Sequence, residues 1–369
     1  MLYTTHQIYN LPSQDLTQIE ANSIDLVVTS PPYPMIEMWD EMFALQNPAV
    51  KSFLSSDPAI AFELMHQEID KVWRECFRLL KDGGLLCINI GDATRTINKK
   101  FQLFNNHTRI VKACLEIGFT NLPNIIWRKQ TNAPNKFMGS GMLPGGAYVT
   151  LEHEWILIFR KCGKRNYKAA ADKLIRRQSA FFWEERNKWF SDIWDVKGTK
   201  QKIRNTQSRE RNASFPLEIP FRLIGMYSQK GDTILDPFYG LGTTTIAAMI
   251  LQRNSIGVEI DTNLLPSIKE NIEGMTPETM NQLIYQRYCN HLKFIQERTR
   301  EGKKTKYYNK YLDCKVITSQ ETDMVFSYLE KVNRLESDTL AYECQYCKDI
   351  AIPEFETTNR GTRFYKMVK

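Results

Sequence analysis

Ile234-Leu235-Asp236-Pro237-Phe238-Tyr239-Gly240-Leu241-Gly242-Thr243-Thr244-Thr245 reads as a buried strand, a glycine-bearing turn and the start of a helix that continues through Ile246-Ala247-Ala248-Met249. Glycines let the backbone approach a ligand closely, and the helix N-terminus that follows offers free N–H groups to a carboxylate. Further on, Ser255-Ile256-Gly257-Val258-Glu259-Ile260-Asp261 reads as a second buried strand ending in an acid. An acid at that place grips ribose hydroxyls in nucleotide-binding α/β folds. No lysine follows the glycines to hold a phosphate, which argues against a P-loop. The third glycine of a dinucleotide fingerprint is also missing, which argues against a nicotinamide enzyme.

Far upstream, Thr29-Ser30-Pro31-Pro32-Tyr33 follows the apolar run Leu26-Val27-Val28 and reads as a strand ending in a rigid turn. Two prolines fix φ near −65° and supply no N–H, so the carbonyls around them are aimed rather than folded into a ladder. The Ser30 hydroxyl and the Pro31 carbonyl can then face one point, with the Tyr33 ring beside it. A flat nucleobase whose exocyclic NH₂ is to react needs acceptors for its amino hydrogens and a π-face to stack on. Taken alone, the tetrapeptide also fits an ordinary turn or a polyproline-like linker.

Together the two segments make the chain resemble the S-adenosylmethionine-dependent DNA amino-methyltransferases. Thr29 to Tyr33 matches the catalytic motif of that family, Asp236 to Thr244 its cofactor loop and Glu259 its ribose acid. The catalytic motif comes first and the cofactor loop roughly two hundred residues later, the permuted order of the family's β class. Other segments fit the same scheme: Gly83 to Asp92 as the next strand, Asn124 to Lys129 and His153 to Lys161 as the closing pair, and Phe215-Pro216-Leu217-Glu218-Ile219-Pro220 before the helix that leads into the cofactor loop. The resemblance implies an α/β fold: a Rossmann-like, mostly parallel sheet with one antiparallel strand, helices on both faces and a basic recognition module. It implies catalytic roles for Ser30, Pro31, Pro32 and Tyr33. Phe215, Pro216, Asp236, Pro237, Phe238, Gly240, Gly242, Thr243, Thr244 and Glu259 are the implied contacts to S-adenosylmethionine. A serine before the double proline points, within the family, to cytosine N4, whereas adenine-N6 enzymes more often carry Asp or Asn there. One departure stands out: the strand at Gln7-Ile8-Tyr9 is followed by Asn10-Leu11-Pro12-Ser13, without the acid that relatives place against the cofactor adenine. Asn10, Ser13 and Asp15 are the candidates to replace it.

A chain of 369 residues exceeds one typical domain. The expected division is a catalytic half at 1–161, a target recognition region at 162–211, a cofactor half at 212–278 and an extension at 279–369 whose role the sequence does not choose. The opening Met1-Leu2-Tyr3-Thr4-Thr5-His6 has no apolar signal region and no run approaches membrane-spanning length, so a soluble cytoplasmic enzyme is expected. The net charge of +7 is modest but unevenly placed. Between Arg160 and Arg211, fourteen basic residues face six acids, interleaved with Tyr167, Phe181, Phe182, Trp183, Trp189, Phe190 and Trp194. Basic residues supply phosphate contacts that set register and affinity. Arg165, Lys168, Arg176, Arg177, Lys197, Lys200, Lys202 and Arg204 are accordingly the candidates for binding double-stranded DNA. The competing reading is a solvated helical surface over a small aromatic core. Glu37, Trp39 and Asp40, just past the catalytic motif, line a base pocket or belong to a helical layer.

Cytosine-C5 methylation needs a nucleophilic cysteine after a proline, and the chain has no Pro-Cys dipeptide. Cys344 and Cys347 form a lone CxxC, with Cys314 and His291 as the nearby residues able to complete a zinc site; thiols in a reducing compartment are the preferred reading, and no metal is expected. Three rivals stay open: adenine-N6 methylation, methylation of a protein glutamine amide, for which the motif order is reversed, and a DNA-binding protein with a vestigial fold. A restriction endonuclease acting on the same site is a partner the reading allows, and monomer and dimer are both open.

Overall fold

The computed structural model describes residues 3–129, 138–198 and 215–347. Its centre is a sheet whose ten main strands are β1 (Tyr3–Tyr9), β2 (Ile24–Thr29), β3 (Leu80–Ile90), β4 (Ile125–Arg128), β5 (His153–Lys161), β6 (Ile193–Asp195), β7 (Thr233–Asp236), β8 (Asn254–Val258), β9 (Leu329–Leu335) and β10 (Leu340–Tyr346). They lie side by side in the order β6-β4-β5-β3-β2-β7-β8-β1-β10-β9. The run from β3 through β1 is parallel, and β5 opposes both of its neighbours, β3 and β4. This is the expected fold class with its one antiparallel strand in the core. The hairpin β9–β10 adds a further antiparallel pairing at the β1 edge.

Burial explains the strand positions. All six residues of β2 are buried, as expected of a parallel strand covered on both faces. In β1, exposed and buried residues alternate, so its inner row Thr4, His6 and Ile8 faces the core. One face of the sheet carries α1 (Pro58–Leu79) and α2 (Asn106–Ile117). Helix α1 begins where Asp57 accepts from the N–H groups of Ala59 and Ile60 and Pro58 occupies the first turn, and it buries Met65, Ile69, Val72, Trp73 and Cys76 on one stripe. Against the other face lie α5 (Glu218–Tyr227), α6 (Thr243–Ile250) and α7 (Pro277–Arg300). Two short helices precede α5 in the chain, α3 (Ala170–Gln178) and α4 (Trp183–Trp189).

Residues 280–347 are structural parts of this body. Helix α7 packs on α6, and β10 pairs with β1 from Tyr3 to Ile8. The expected target recognition region at 162–211 is tied to the same core: Glu185 bonds Arg287, Glu184 bonds His291, and the Phe182 ring stacks on His291 at 3.7 Å. Phe182, Trp189 and Trp194 are buried, so these aromatics fill the core, as the competing reading has it. His291, bound by Glu184 and the Lys315 carbonyl, has both ring nitrogens engaged by protein.

The chain leaves β2 toward β3 on one side and leaves β7 toward β8 on the other. The direction of travel therefore reverses between the adjacent strands β2 and β7. In open α/β sheets, ligands bind outside the carboxyl ends of the strands at such a switch point.

Candidate active site

The β2–β7 register pairs Leu26 with Ile234 and Val27 with Leu235, so Asp236 comes level with Val28, one residue before Thr29 and two before Ser30. Thr29 Oγ1 donates to Asp236 Oδ1 at 2.6 Å, which ties the two distant motifs together. Pro31 and Pro32 are buried where the missing N–H groups leave nothing unpaired, while Ser30 and Tyr33 are half-buried. Ser30 Oγ lies 3.2 Å from the Tyr33 phenol oxygen. That phenol donates to Glu154 Oε2 at 2.9 Å and accepts from Asn89 Nδ2 at 2.8 Å. Lys129 Nζ closes the cluster, 2.9 Å from Glu154 Oε1. A Cβ added at Gly91 would lie 3.0 Å from the Tyr33 ring, so the end of β3 fixes where that ring sits.

Asp236 is buried, and burial pushes its carboxyl up to about 6, partly offset by hydrogen bonds from Thr29, Thr244 and the Phe238 N–H. After it the chain turns under constraint. Gly240 and Gly242 have φ of +54° and +82°, values that disfavour any side chain. A Cβ at Gly257 would collide with the Tyr239 ring, which is tucked beneath the bend. Gly242 caps α6, whose first turn holds Thr243 and Thr244, and Thr244 Oγ1 reaches back to the Val28 carbonyl at 3.3 Å. Glu259 closes the bend by accepting from the N–H of Gly240 at 2.8 Å and of Asp261 at 2.9 Å. Phe238 meets Trp73 edge-on at 5.9 Å. Phe215 and Pro216 are buried at the entry to α5, which packs beneath β2.

Asn10 and Ser13, where the expected acid is missing, both bind backbone of this bend. Asn10 Nδ2 donates to the Glu259 carbonyl at 2.7 Å, and Ser13 Oγ donates to the Pro237 carbonyl. The bend fits a nucleoside-bearing cofactor on one structural ground in particular: the space a Cβ of Gly240 would enter is empty to 4 Å, beside a carboxylate, a group whose several lone pairs accept from hydroxyls.

The basic candidates separate into groups that the sequence presented as one. Strand β5 starts at the site, with Glu154, and ends at the opposite edge, where Lys161 bonds the Leu80 carbonyl and Asn22. Arg165 follows there and forks onto Asp232 at 2.6 and 2.9 Å, with Asp25 at 3.3 Å. Arg165, expected to bind DNA, is an ion-pair residue at the amino ends of β2 and β7. Arg176 lies 4.4 Å over Tyr167 and Arg177 is 2.7 Å from Asp323, in the same part of the molecule, and Lys168 is exposed near them. None of these four is brought to the Ser30 corner, because the antiparallel run of β5 carries the chain away from it. Lys197, exposed, is on the site side: the Cβ position of its neighbour Gly198 is 3.6 Å from Lys129, which holds Glu154. Lys200, Lys202 and Arg204 lie outside the described residues. Asp40 is paired with Arg95 at 2.6 and 2.9 Å and helps anchor the segment after the catalytic motif.

Asn89, Lys129 and Glu154 were not singled out by motif. The signal available was a lone amide in the apolar run Leu85 to Ile90 and an acid beside Trp155 at the start of a closing strand.

With two motifs joined at one switch point, comparison with known proteins becomes decisive. Residues 24–270 match the DNA methylase family of N6 and N4 methyltransferases. The chain belongs to that family. It is 47% identical to the type II methyltransferase M.MthZI of Methanothermobacter thermautotrophicus, over 92% of this chain and 95% of that one. It is 49% identical to the type II methyltransferase M.MjaI of Methanocaldococcus jannaschii over 73% of this chain and 91% of that one. A DNA modification methylase of Thermus thermophilus, solved with S-adenosyl-L-methionine, is 32% identical and superimposes with a TM-score of 0.56, covering 72% of this chain and 92% of that one. The protein is thus a DNA methyltransferase, and S-adenosylmethionine is its cofactor. No helix among the described residues is long and apolar enough to cross a membrane.

Proposed function

We propose that this methylase transfers the methyl group to the exocyclic N4 of a cytosine swung out of duplex DNA, as the β-class modification enzyme of a restriction system. The observation that carries the reading is the Thr29–Asp236 hydrogen bond, which sets the serine-proline corner next to the glycine bend. S-adenosylmethionine supplies a methyl carbon activated by a sulfonium. Asp236, Pro237, Phe238, Gly240, Gly242, Thr243 and Thr244 would hold it across the carboxyl ends of β7 and α6's first turn, with Glu259 on its ribose and Phe215 and Pro216 beneath.

The target nitrogen's lone pair is delocalised into the ring, so attack requires it to pyramidalise. Ser30 Oγ and the Pro31 carbonyl accept the amino hydrogens and favour that geometry without full deprotonation. Holding nitrogen and carbon in line at near-attack distance is worth up to ~7–11 kcal/mol, the largest contribution available here. Fixed acceptors add to it because they need no reorganisation. Tyr33, with Pro32 behind it, would bear on the flipped base, whose extrusion costs a few kcal/mol of unstacking.

The order of the motifs supports the β-class assignment, the serine supports cytosine over adenine, and the type II names of the relatives support the restriction context. Lys197, Lys200, Lys202 and Arg204 are the DNA contacts this reading retains. The test is enzymatic digestion of DNA modified by the protein, followed by mass spectrometry of the nucleosides. N4-methylcytosine is expected, and N6-methyladenine in its place would overturn the base assignment while leaving the methylase intact.

A further inference from the structure

Behind Ser30 lies a set of side chains that methyl transfer does not by itself require. The Tyr33 phenol oxygen is 3.2 Å from Ser30 Oγ, 2.9 Å from Glu154 Oε2 and 2.8 Å from Asn89 Nδ2. Asn89 Nδ2 is also 2.7 Å from Glu154 Oε2, and Lys129 Nζ is 2.9 Å from Glu154 Oε1. Counting protons fixes the direction of every bond. An ionised carboxylate can only accept, a phenol has one proton to give, and an amide nitrogen can only donate.

Glu154 therefore takes the Tyr33 proton, and it also orients Asn89 with its nitrogen, not its oxygen, toward the pair. Asn89 gives its two protons to Glu154 and to the phenol oxygen. With its own proton spent, Tyr33 faces Ser30 as an acceptor. The Ser30 O–H must then point at Tyr33, which leaves only serine lone pairs directed elsewhere. Burial and the adjacent Glu154 carboxylate raise the Tyr33 phenol well above its ordinary range, so it keeps the proton this chain of bonds needs.

We propose that Glu154 is a positioning residue that acts through Tyr33 to hold the Ser30 hydroxyl as a hydrogen-bond acceptor toward the target amine, with Lys129 and Asn89 fixing Glu154 in place. The orientation matters chemically. A serine O–H aimed at the amine would donate to the nitrogen lone pair, the pair that must attack the methyl carbon. Turned toward Tyr33, the hydroxyl instead takes an amino hydrogen and frees that lone pair. The inference rests on the reading of Ser30 as the amine acceptor.

Glu154→Gln tests it, because the new amide can present N–H to Tyr33 and release the phenol proton toward Ser30. Turnover of tritiated methyl from S-adenosylmethionine into DNA is expected to fall about tenfold or more. Cofactor affinity by calorimetry and KM for DNA should stay near wild type. In a Ser30→Ala background the same substitution should change kcat less than about twofold, since nothing remains to orient. Wild-type kcat in Glu154→Gln, or an equal loss in both backgrounds, overturns the proposal. Wild-type turnover in Ser30→Ala alone would instead overturn the reading of Ser30. Should Glu154→Gln fail to bind cofactor, Tyr33→Phe carries the same cycle: a loss in the wild-type background and none beyond it with Ser30→Ala.

Discussion

On the proposed reading Ser30 contributes one acceptor oxygen to the site, and its removal is expected to separate chemistry from binding. Ser30→Ala should keep cofactor affinity while lowering kcat by ~10²-fold, measured by methyl incorporation at saturating substrate. Asp236 behaves differently because it is buried, held between Thr29 and the Phe238 N–H. Its pKa is raised to about 6 in the fold, above the ordinary carboxylate value of 3.8. Between those two values the folded chain binds more protons than the unfolded chain, so this residue's contribution to stability is full below about 4 and is lost as pH rises through about 6. Asp236→Asn should therefore gain stability relative to wild type at about pH 7.5 by something on the order of 1–3 kcal/mol, with little difference at about pH 4. Denaturant melts at the two pH values check this, and calorimetry should find weaker cofactor binding at the same time. Equal cofactor affinity in the two proteins would count against the placement of the cofactor. The motif residues were legible one by one because proline, glycine and an acid at a strand end restrict the backbone locally. Glu154 and Asn89 were not, since they meet the Tyr33 oxygen only in space.

At the scale of elements, the glycine bend depends on the strand beside it. Gly257 in β8 leaves room for the Tyr239 ring, and a methyl there would run into it. Gly257→Ala is expected to cost about 1–3 kcal/mol and to weaken cofactor binding, because the displaced ring supports the bend. The direction of β5 decides another outcome. It delivers Arg165 to Asp232 and Asp25 at the amino ends of β2 and β7, where two buried carboxylates share one guanidinium. Arg165→Ala should destabilise the fold by about 2–4 kcal/mol and leave DNA affinity and its salt dependence unchanged in a filter-binding titration. A loss of DNA affinity at unchanged stability would restore the original reading of that arginine. Charge density along the chain could not make this distinction, because neighbours in sequence part company once an antiparallel strand sends them to opposite ends.

For the whole molecule, the hairpin β9–β10 completes the sheet. Strand β10 covers the Tyr3–Ile8 edge of β1, and the Tyr346 hydroxyl bonds both Thr4 and the Met249 carbonyl. Ending the chain at Arg300 would expose the paired edge of β1, a template for aggregation. Such a truncation is expected to be insoluble or to melt well below the full chain, as read by expression and thermal unfolding. A soluble truncation with native cofactor affinity would make the hairpin an accessory.

Through the family resemblance its motifs carry, the sequence implied the α/β class and S-adenosylmethionine; read by itself, it determined the strand, glycine turn and helix of the cofactor loop and the strand and rigid turn of the catalytic motif. Those properties are written in short stretches where steric limits on proline and glycine and the burial of apolar runs leave few conformations. Only the tertiary structure decided that Phe182, Trp189 and Trp194 are core, that Arg165 is ion-paired at the amino ends of β2 and β7, and that Glu154, Asn89 and Lys129 stand behind the serine. Each of those facts depends on strand order and direction, which place residues far apart in the chain within one hydrogen bond of each other.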